Sequence, residues 1–211
     1  MLKRIKGTLF IVSAPSGTGK TTLCKKLIEN IPDLKESVSF TTRSPRAGEV
    51  NNVDYTFISS KQFKQKLENS EFIEYAEVFG NYYGTSQKRI EDILSSGCDV
   101  LLDIDTQGAR QLKERLKNIV TIFILPPSLD VLAQRLKDRN NNTSGDIAIR
   151  LEKSKAEIKE FQNYDFLVIN DELIKAYRDL ESIIISNRLK RDCLDTDRIN
   201  EISKYLENDL H

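Results

Sequence analysis

Histidine is almost absent from this sequence: the only one is His211. No imidazole is at hand for a Ser-His or Cys-His pair within the body of the chain. The three cysteines, Cys24, Cys98 and Cys193, stand far apart, and no CxxC pair exists. Neither a disulfide framework nor a zinc site fits that pattern, and they read as plain core or surface thiols. Net charge is absent too, with 32 Lys+Arg against 32 Asp+Glu. That argues against a broad electrostatic surface for nucleic acid, so any anion site must be local. No apolar run approaches the ~18 residues of a membrane span, which argues against a membrane partner. Met1–Gly7 is basic, but the stretch behind it is interrupted by Ser13, Pro15 and Gly17. It is too short for the apolar region of a signal peptide, and the reading is a cytoplasmic protein.

What is present is strand-helix alternation. The 211 residues suffice for one α/β domain with small insertions. Near-continuous apolar runs at Thr8–Ala14, Val100–Asp105, Ile119–Leu125 and Phe166–Asn170 read as buried parallel strands. Helical patterns follow at Lys20–Asn30, about 106–117, 128–138 and 146–161, and from Glu172 onward. The fold class is therefore α/β, a doubly wound parallel sheet. Residues 37–89 break the rhythm with Ser, Thr, Asn, Gly and Tyr and short alternating strands, and read as an inserted mixed subdomain. The polar stretch Arg139–Asp146 reads as a lid loop. The whole chain, 1–211, is then one domain: a core of 1–36 and 90–211, an insert of about 37–89 and a lid of about 135–150.

Ala14-Pro15-Ser16-Gly17-Thr18-Gly19-Lys20-Thr21 follows the first strand and opens the first helix. It matches the phosphate-binding P-loop except that Ala14 stands where a glycine is usual. Small residues let successive N–H groups wrap phosphates, and the helix N-terminus adds its dipole. Lys20 is expected at the β- and γ-phosphates, and the Thr21 hydroxyl at Mg²⁺. A GTPase would carry an NKxD base-reading motif, and Asn118-Ile119-Val120-Thr121 is not one. A small size and a polar insert after the first helix favour a kinase with a second substrate pocket.

Within the insert, Arg43 and Arg46 flank Pro45, an arrangement suited to forking onto phosphate oxygens, although a solvated basic loop has the same composition. Tyrosines of short strands are usually core, and Glu74 alone could face solvent. Together, however, Ser39-Phe40-Thr41-Thr42-Arg43-Ser44-Pro45-Arg46-Ala47-Gly48-Glu49, then Asp54-Tyr55-Thr56-Phe57, Phe72-Ile73-Glu74, Gly80–Thr85 and Leu102–Gly108 occur in one order and spacing. That series resembles the guanylate kinases, from about Thr8 to Asn170.

The resemblance implies transfer of the γ-phosphate of ATP to GMP, and to dGMP, with Mg²⁺. It implies that Arg43, Arg46, Tyr55 and Tyr83 hold the GMP phosphate. Ser39, Glu74, Thr85 and Asp105 would read guanine, Asp103 would lie at the magnesium end, and Asn170 would contact adenine. Arg135, Arg139 and Arg150 would be lid arginines, by the resemblance and by their spacing around the polar loop. Chemistry agrees with the base assignment: guanine offers N1–H and N2–H₂ as adjacent donors that one carboxylate can accept, and adenine would leave that carboxylate unpaired. Phosphoryl transfer needs placement and charge neutralisation more than a strong base, so the shortage of histidine is no obstacle.

The sequence departs from the resemblance in the lid, where Asp138-Arg139-Asn140-Asn141-Asn142 replaces Gly-Arg-Gly, and at Asn52 and Tyr75, where Gly and Trp are common. Two rivals remain: a non-catalytic guanylate-kinase-like interaction module, and a kinase of another small phosphorylated acceptor. Intact Gly17, Gly19, Lys20 and Thr21 count against the first, and Glu74 with Thr85 against the second. The sequence leaves monomer and homodimer both open.

Overall fold

A computed structural model describes residues 6–78, 80–138, 144–193, 197, 200, 201, 203 and 204. Five parallel strands form the core sheet: β1 (Leu9–Ser13), β2 (Leu34–Glu36), β7 (Asp99–Asp103), β8 (Ile119–Leu125) and β9 (Phe166–Ile169), in the order β2-β7-β1-β8-β9. Strand β1 is central and wholly buried, and its alternating side chains supply two cores. Phe10 and Val12 point to one face, packed with Leu23 and Leu27 of α1 (Lys20–Asn30) and Ala176, Leu180 and Ile184 of α7 (Leu173–Arg188). Leu9 and Ile11 point to the other, against Ile90 of α3 (Gln87–Ser95) and Ala109 and Leu112 of α4 (Thr106–Arg115). Helices cover both faces, which is the doubly wound arrangement expected from the alternation.

The edge strand β2 is legible only in the structure, because Leu34-Lys35-Glu36 is too short to register as an apolar run. Strand β9 is apolar in sequence yet mostly uncovered, with Leu167 at 48% and Ile169 at 52% exposure. It lies at the far edge of the sheet, and only Val168 faces the core.

The chain leaves the core sheet after Glu36 and builds a second, mixed sheet from β3 (Phe40–Thr41), β4 (Thr56–Phe57), β5 (Phe72–Val78) and β6 (Asn81–Ser86), in the order β4-β3-β6-β5. Strands β3 and β4 are parallel, and the other two pairings are antiparallel. A helix absent from the sequence reading, α2 (Ser60–Glu68), covers this sheet. It starts on a capping box in which Ser59 and Gln62 satisfy each other's backbone N–H groups. Phe63 of α2 stacks on Phe72 at 4.6 Å and on Tyr82 at 5.4 Å, giving the insert a small aromatic core of its own. The border expected between 89 and 90 falls inside α3, whose Ile90 is buried in the main core. Two helices follow β8: α5 (Leu129–Lys137) and α6 (Ser144–Ile158), the latter continued by a 3₁₀ turn over Lys159–Asn163.

Candidate active site

The P-loop lies where β1 hands over to α1, and its conformation explains its glycines. Gly19 caps α1 with φ of 95°, a left-handed value that disfavours side chains. A Cβ there would also stand 2.6 Å from the Asn170 amide nitrogen. That amide donates to the Thr18 carbonyl at 2.7 Å, and the Arg135 guanidinium reaches the same carbonyl at 3.4 Å and the Asn170 carbonyl at 3.2 Å. The loop is thus propped from behind by β9 and α5. Asn170 is only 4% exposed and spends its amide on the loop. Arg135 belongs to the packed helix α5, whose Leu132 and Leu136 are fully buried. In this structure it braces the P-loop from behind. Arg150 lies on α6, half-buried. Arg139 lies outside the described residues.

At the mouth of the loop, Lys20 forms an ion pair with Asp103 and donates to the Ile104 carbonyl at 3.0 Å. Burial alone would lower the Lys20 ammonium, but the Asp103 carboxylate outweighs it and holds the lysine above its ordinary value. The Thr21 hydroxyl donates to the other Asp103 oxygen at 3.2 Å. A hydroxyl and a carboxylate side by side are hard oxygen donors, the kind Mg²⁺ accepts. Among the described residues no group of three or more His, Cys, Asp and Glu could hold a metal. The donor set fits a magnesium that keeps its waters and arrives with phosphates, rather than a caged ion. Cys24, one turn into α1, is buried, and that burial, with the Asp103 charge behind it, pushes its thiol well above the usual range.

On the insert side the expected residues fall into two groups. Glu74 is 3% exposed, and the fully buried Thr85 donates its hydroxyl to it. The Ser39 hydroxyl stands 3.4 Å from that of Thr85. Asp105 caps α4, accepting from the Gly108 N–H at 2.9 Å, and its charge is felt at Glu74. Burial pushes the Glu74 carboxyl up to about 7; the Thr85 hydrogen bond opposes the rise and Asp105 adds to it. In the second group, the Tyr55 and Tyr83 rings meet edge to face at 5.9 Å, and the Arg43 guanidinium lies over Tyr55 at 5.4 Å.

The two arginines do not form a ready clamp. Arg43 pairs with Glu49 at 2.8 Å, and Arg46 is exposed, with its backbone N–H donating to the other Glu49 oxygen at 2.7 Å. Glu49 thus binds the Arg43 guanidinium and the main chain of Arg46, a role that only the turn geometry reveals. Gln111 and Arg115 bond β5, and nothing in a lone sequence says what a helix face will meet. Asn52 has φ of 63°, and its side-chain oxygen accepts from the Thr56 hydroxyl at 3.0 Å. Asparagine tolerates that left-handed conformation better than most residues, so it can stand in for the common glycine.

A P-loop core carrying an inserted mixed sheet is the architecture of the P-loop nucleoside-monophosphate kinases as a class. Within that class the match is specific. The guanylate kinase family model covers residues 6–187. A guanylate kinase of Geobacter metallireducens is 48% identical over 88% of this chain and 91% of that protein. One from Neisseria meningitidis serogroup A is 47% identical over 96% and 97%. The crystal structure of guanylate kinase from Anaplasma phagocytophilum superposes with a TM-score of 0.81 at 33% identity, covering 97% of this chain and 98% of that one. The chain belongs to the guanylate kinase family. No helix among the described residues is long and apolar enough to cross a membrane.

Proposed function

We propose that this protein transfers the γ-phosphate of ATP to GMP, and to dGMP, giving ADP and GDP in the cytoplasm. The observation that carries the acceptor's identity is Glu74. It is a carboxylate 3% exposed, bonded to a hydroxyl and, among the described residues, to no cation, beside a second carboxylate at Asp105. A buried carboxylate without a cation is costly, and the cost is recovered when a ligand supplies two adjacent N–H donors. The guanine N1–H and N2–H₂ edge does so. The Thr85 and Ser39 hydroxyls would serve O6 and the neighbouring edge, and Asp105 would complete the pocket.

The acceptor phosphate would meet Arg43, Arg46, Tyr55 and Tyr83, with Arg43 released in part from Glu49. The P-loop N–H groups of residues 14–21 would wrap the ATP phosphates, and Lys20 would exchange Asp103 for the β- and γ-oxygens. Asn170 would act on the nucleotide through the loop it supports and through its position at the adenine side. Thr21 and Asp103, the latter through water, would hold Mg²⁺, which when bound offsets phosphate charge. Arg135, Arg139 and Arg150 would spread the charge that develops during in-line transfer.

A coupled assay of ATP consumption against a panel of nucleoside monophosphates tests the reading. GMP and dGMP should be turned over far faster than AMP, CMP or UMP. Equal use of AMP and GMP would overturn it.

A further inference from the structure

Strand β5 is the outer strand of the mixed sheet, so one row of its backbone groups has no strand partner. Helix α4 of the core fills that row. Gln111 donates its amide to the Tyr75 carbonyl at 2.6 Å and accepts from the Tyr75 N–H at 3.2 Å. A primary amide offers the same donor and acceptor as a peptide, and Gln111 bonds Tyr75 as a neighbouring strand would. One turn on, Arg115 donates to the Ile73 carbonyl at 2.7 Å. One turn back, Gly108 leaves so little room that a Cβ would sit 2.5 Å from a Glu74 carboxylate oxygen. Positions 108, 111 and 115 share one helix face. A bulge between Phe72 and Glu74 sends consecutive side chains to different places. Phe72 enters the insert's aromatic core and Ile73 the main core, while Glu74 lies between Thr85 and Gly108.

From these contacts we infer that Gln111 is a positioning residue for base selection. It fixes β5 on α4, so that Glu74 and the helix-capping Asp105 are held at one spacing by a single rigid helix. The inference rests on the reading that Glu74 accepts the guanine edge. Recognition of two adjacent donors tolerates only about 0.5 Å of misplacement, so losing the amide should act first on discrimination.

The test is steady-state kinetics of Gln111→Met, which keeps the side chain's bulk and removes both hydrogen bonds, alongside Gln111→Glu and Glu74→Gln. In Gln111→Met, kcat/KM for GMP should fall about tenfold. The GMP-over-IMP ratio should contract several-fold, and KM for ATP should stay unchanged. Gln111→Glu keeps the acceptor for the Tyr75 N–H, and its ratio should fall between those of the wild type and Gln111→Met. A merely structural Gln111 would lower Tm and reduce GMP and IMP use by the same factor, and that result overturns the inference. If Glu74→Gln collapses the ratio while Gln111→Met preserves it, the clamp alone is wrong. If Glu74→Gln also preserves it, the base reading falls and takes the clamp's role with it.

Discussion

In the P-loop, the groups offered to an anion are main-chain N–H groups, set by glycine conformations and propped by Asn170 and Arg135 on the Thr18 carbonyl. In the acceptor sheet the candidate groups are mainly side chains, and Glu74 and Arg43 are already bonded to other parts of the protein. Glu74 holds Thr85, while Arg43 and the Arg46 N–H hold Glu49. The contrast suits the two tasks. A triphosphate is recognised by shape and charge alone, for which backbone is enough. Telling one purine from another needs particular donors and acceptors at fixed positions, which here would come from Glu74, Thr85, Ser39 and Asp105. On the proposed reading the P-loop exposes few atoms to mutation, whereas selectivity at the acceptor site would hang on single residues.

The comparison breaks most directly at Lys20, the P-loop group that is a side chain. Lys20→Met should lower kcat by about 10³-fold while the protein stays folded, the scale of a lost donor to developing charge. Circular dichroism and a coupled assay check this, and a folded variant with most of its kcat would mean the loop does not cradle the transferred phosphate. On the acceptor side, Glu74→Gln should lower kcat/KM for GMP by about 10²-fold, within the 2–4 kcal/mol expected when a charged partner leaves a desolvated site. ATP affinity, measured separately, should not move. The GMP-over-IMP ratio should narrow, because a glutamine turns one N–H toward a guanine donor. A variant with the wild-type ratio would reduce Glu74 to a strand residue.

The same contrast decides what could be seen in advance. Local signals carried the P-loop and its strand: the apolar run Leu9–Val12, a glycine turn and a helix start, one after another. The acceptor residues come from β3 to β6 and the start of α4, and their grouping was legible only through resemblance to a known series of motifs. Their state was not legible at all. Nothing in Phe72-Ile73-Glu74 announces a bulge that sends three neighbours to three environments. Nor does Arg135 announce that its guanidinium will reach the Thr18 carbonyl behind the P-loop. Those outcomes depend on which surfaces meet, and meeting surfaces are a tertiary property.

A smaller effect follows from the Glu74 carboxyl standing at about 7 instead of 4.5. Guanine's donors need the ionised form, so kcat/KM for GMP should rise about tenfold between about pH 6 and pH 8 and then level off. Stability runs the other way. The folded state holds a proton on Glu74 that the unfolded chain releases near 4.5, so the folded state binds more protons between about 4.5 and 7. Stability is lost as pH rises through that window, and the penalty reaches up to about 3 kcal/mol above it. Glu74→Gln has no such group. It should be more stable than the wild type at about pH 8, with the advantage shrinking toward pH 5, as thermal melts at both pH values would reveal. An advantage independent of pH would mean that Glu74 is not buried as a lone carboxyl.

The smallest effect separates the two ends of the acceptor site. Glu49 fixes the turn through the Arg46 N–H and holds the Arg43 fork, but the loop around it is open to solvent. Partly solvated ion pairs contribute about 1 kcal/mol or less. Glu49→Gln keeps an acceptor oxygen for the turn and loses the charge that orients Arg43, so KM for GMP should rise about three- to fivefold with little change in kcat. Salt gives an independent handle. The Debye length shrinks from about 10 Å at 0.1 M to about 3 Å at 1 M, which screens the exposed arginines but not a buried pocket. Raising salt should therefore increase KM for GMP in the wild type, while the GMP-over-IMP ratio, set at Glu74, holds steady. In Glu49→Gln the salt response of KM should be steeper, since the carboxylate that partly neutralises Arg43 is gone and the arginine–phosphate attraction is the more fully exposed to screening. If salt eroded the GMP-over-IMP ratio as fast as it raised KM, base and phosphate recognition would share one solvated electrostatic site, and the division between a dry end and a wet end would not hold.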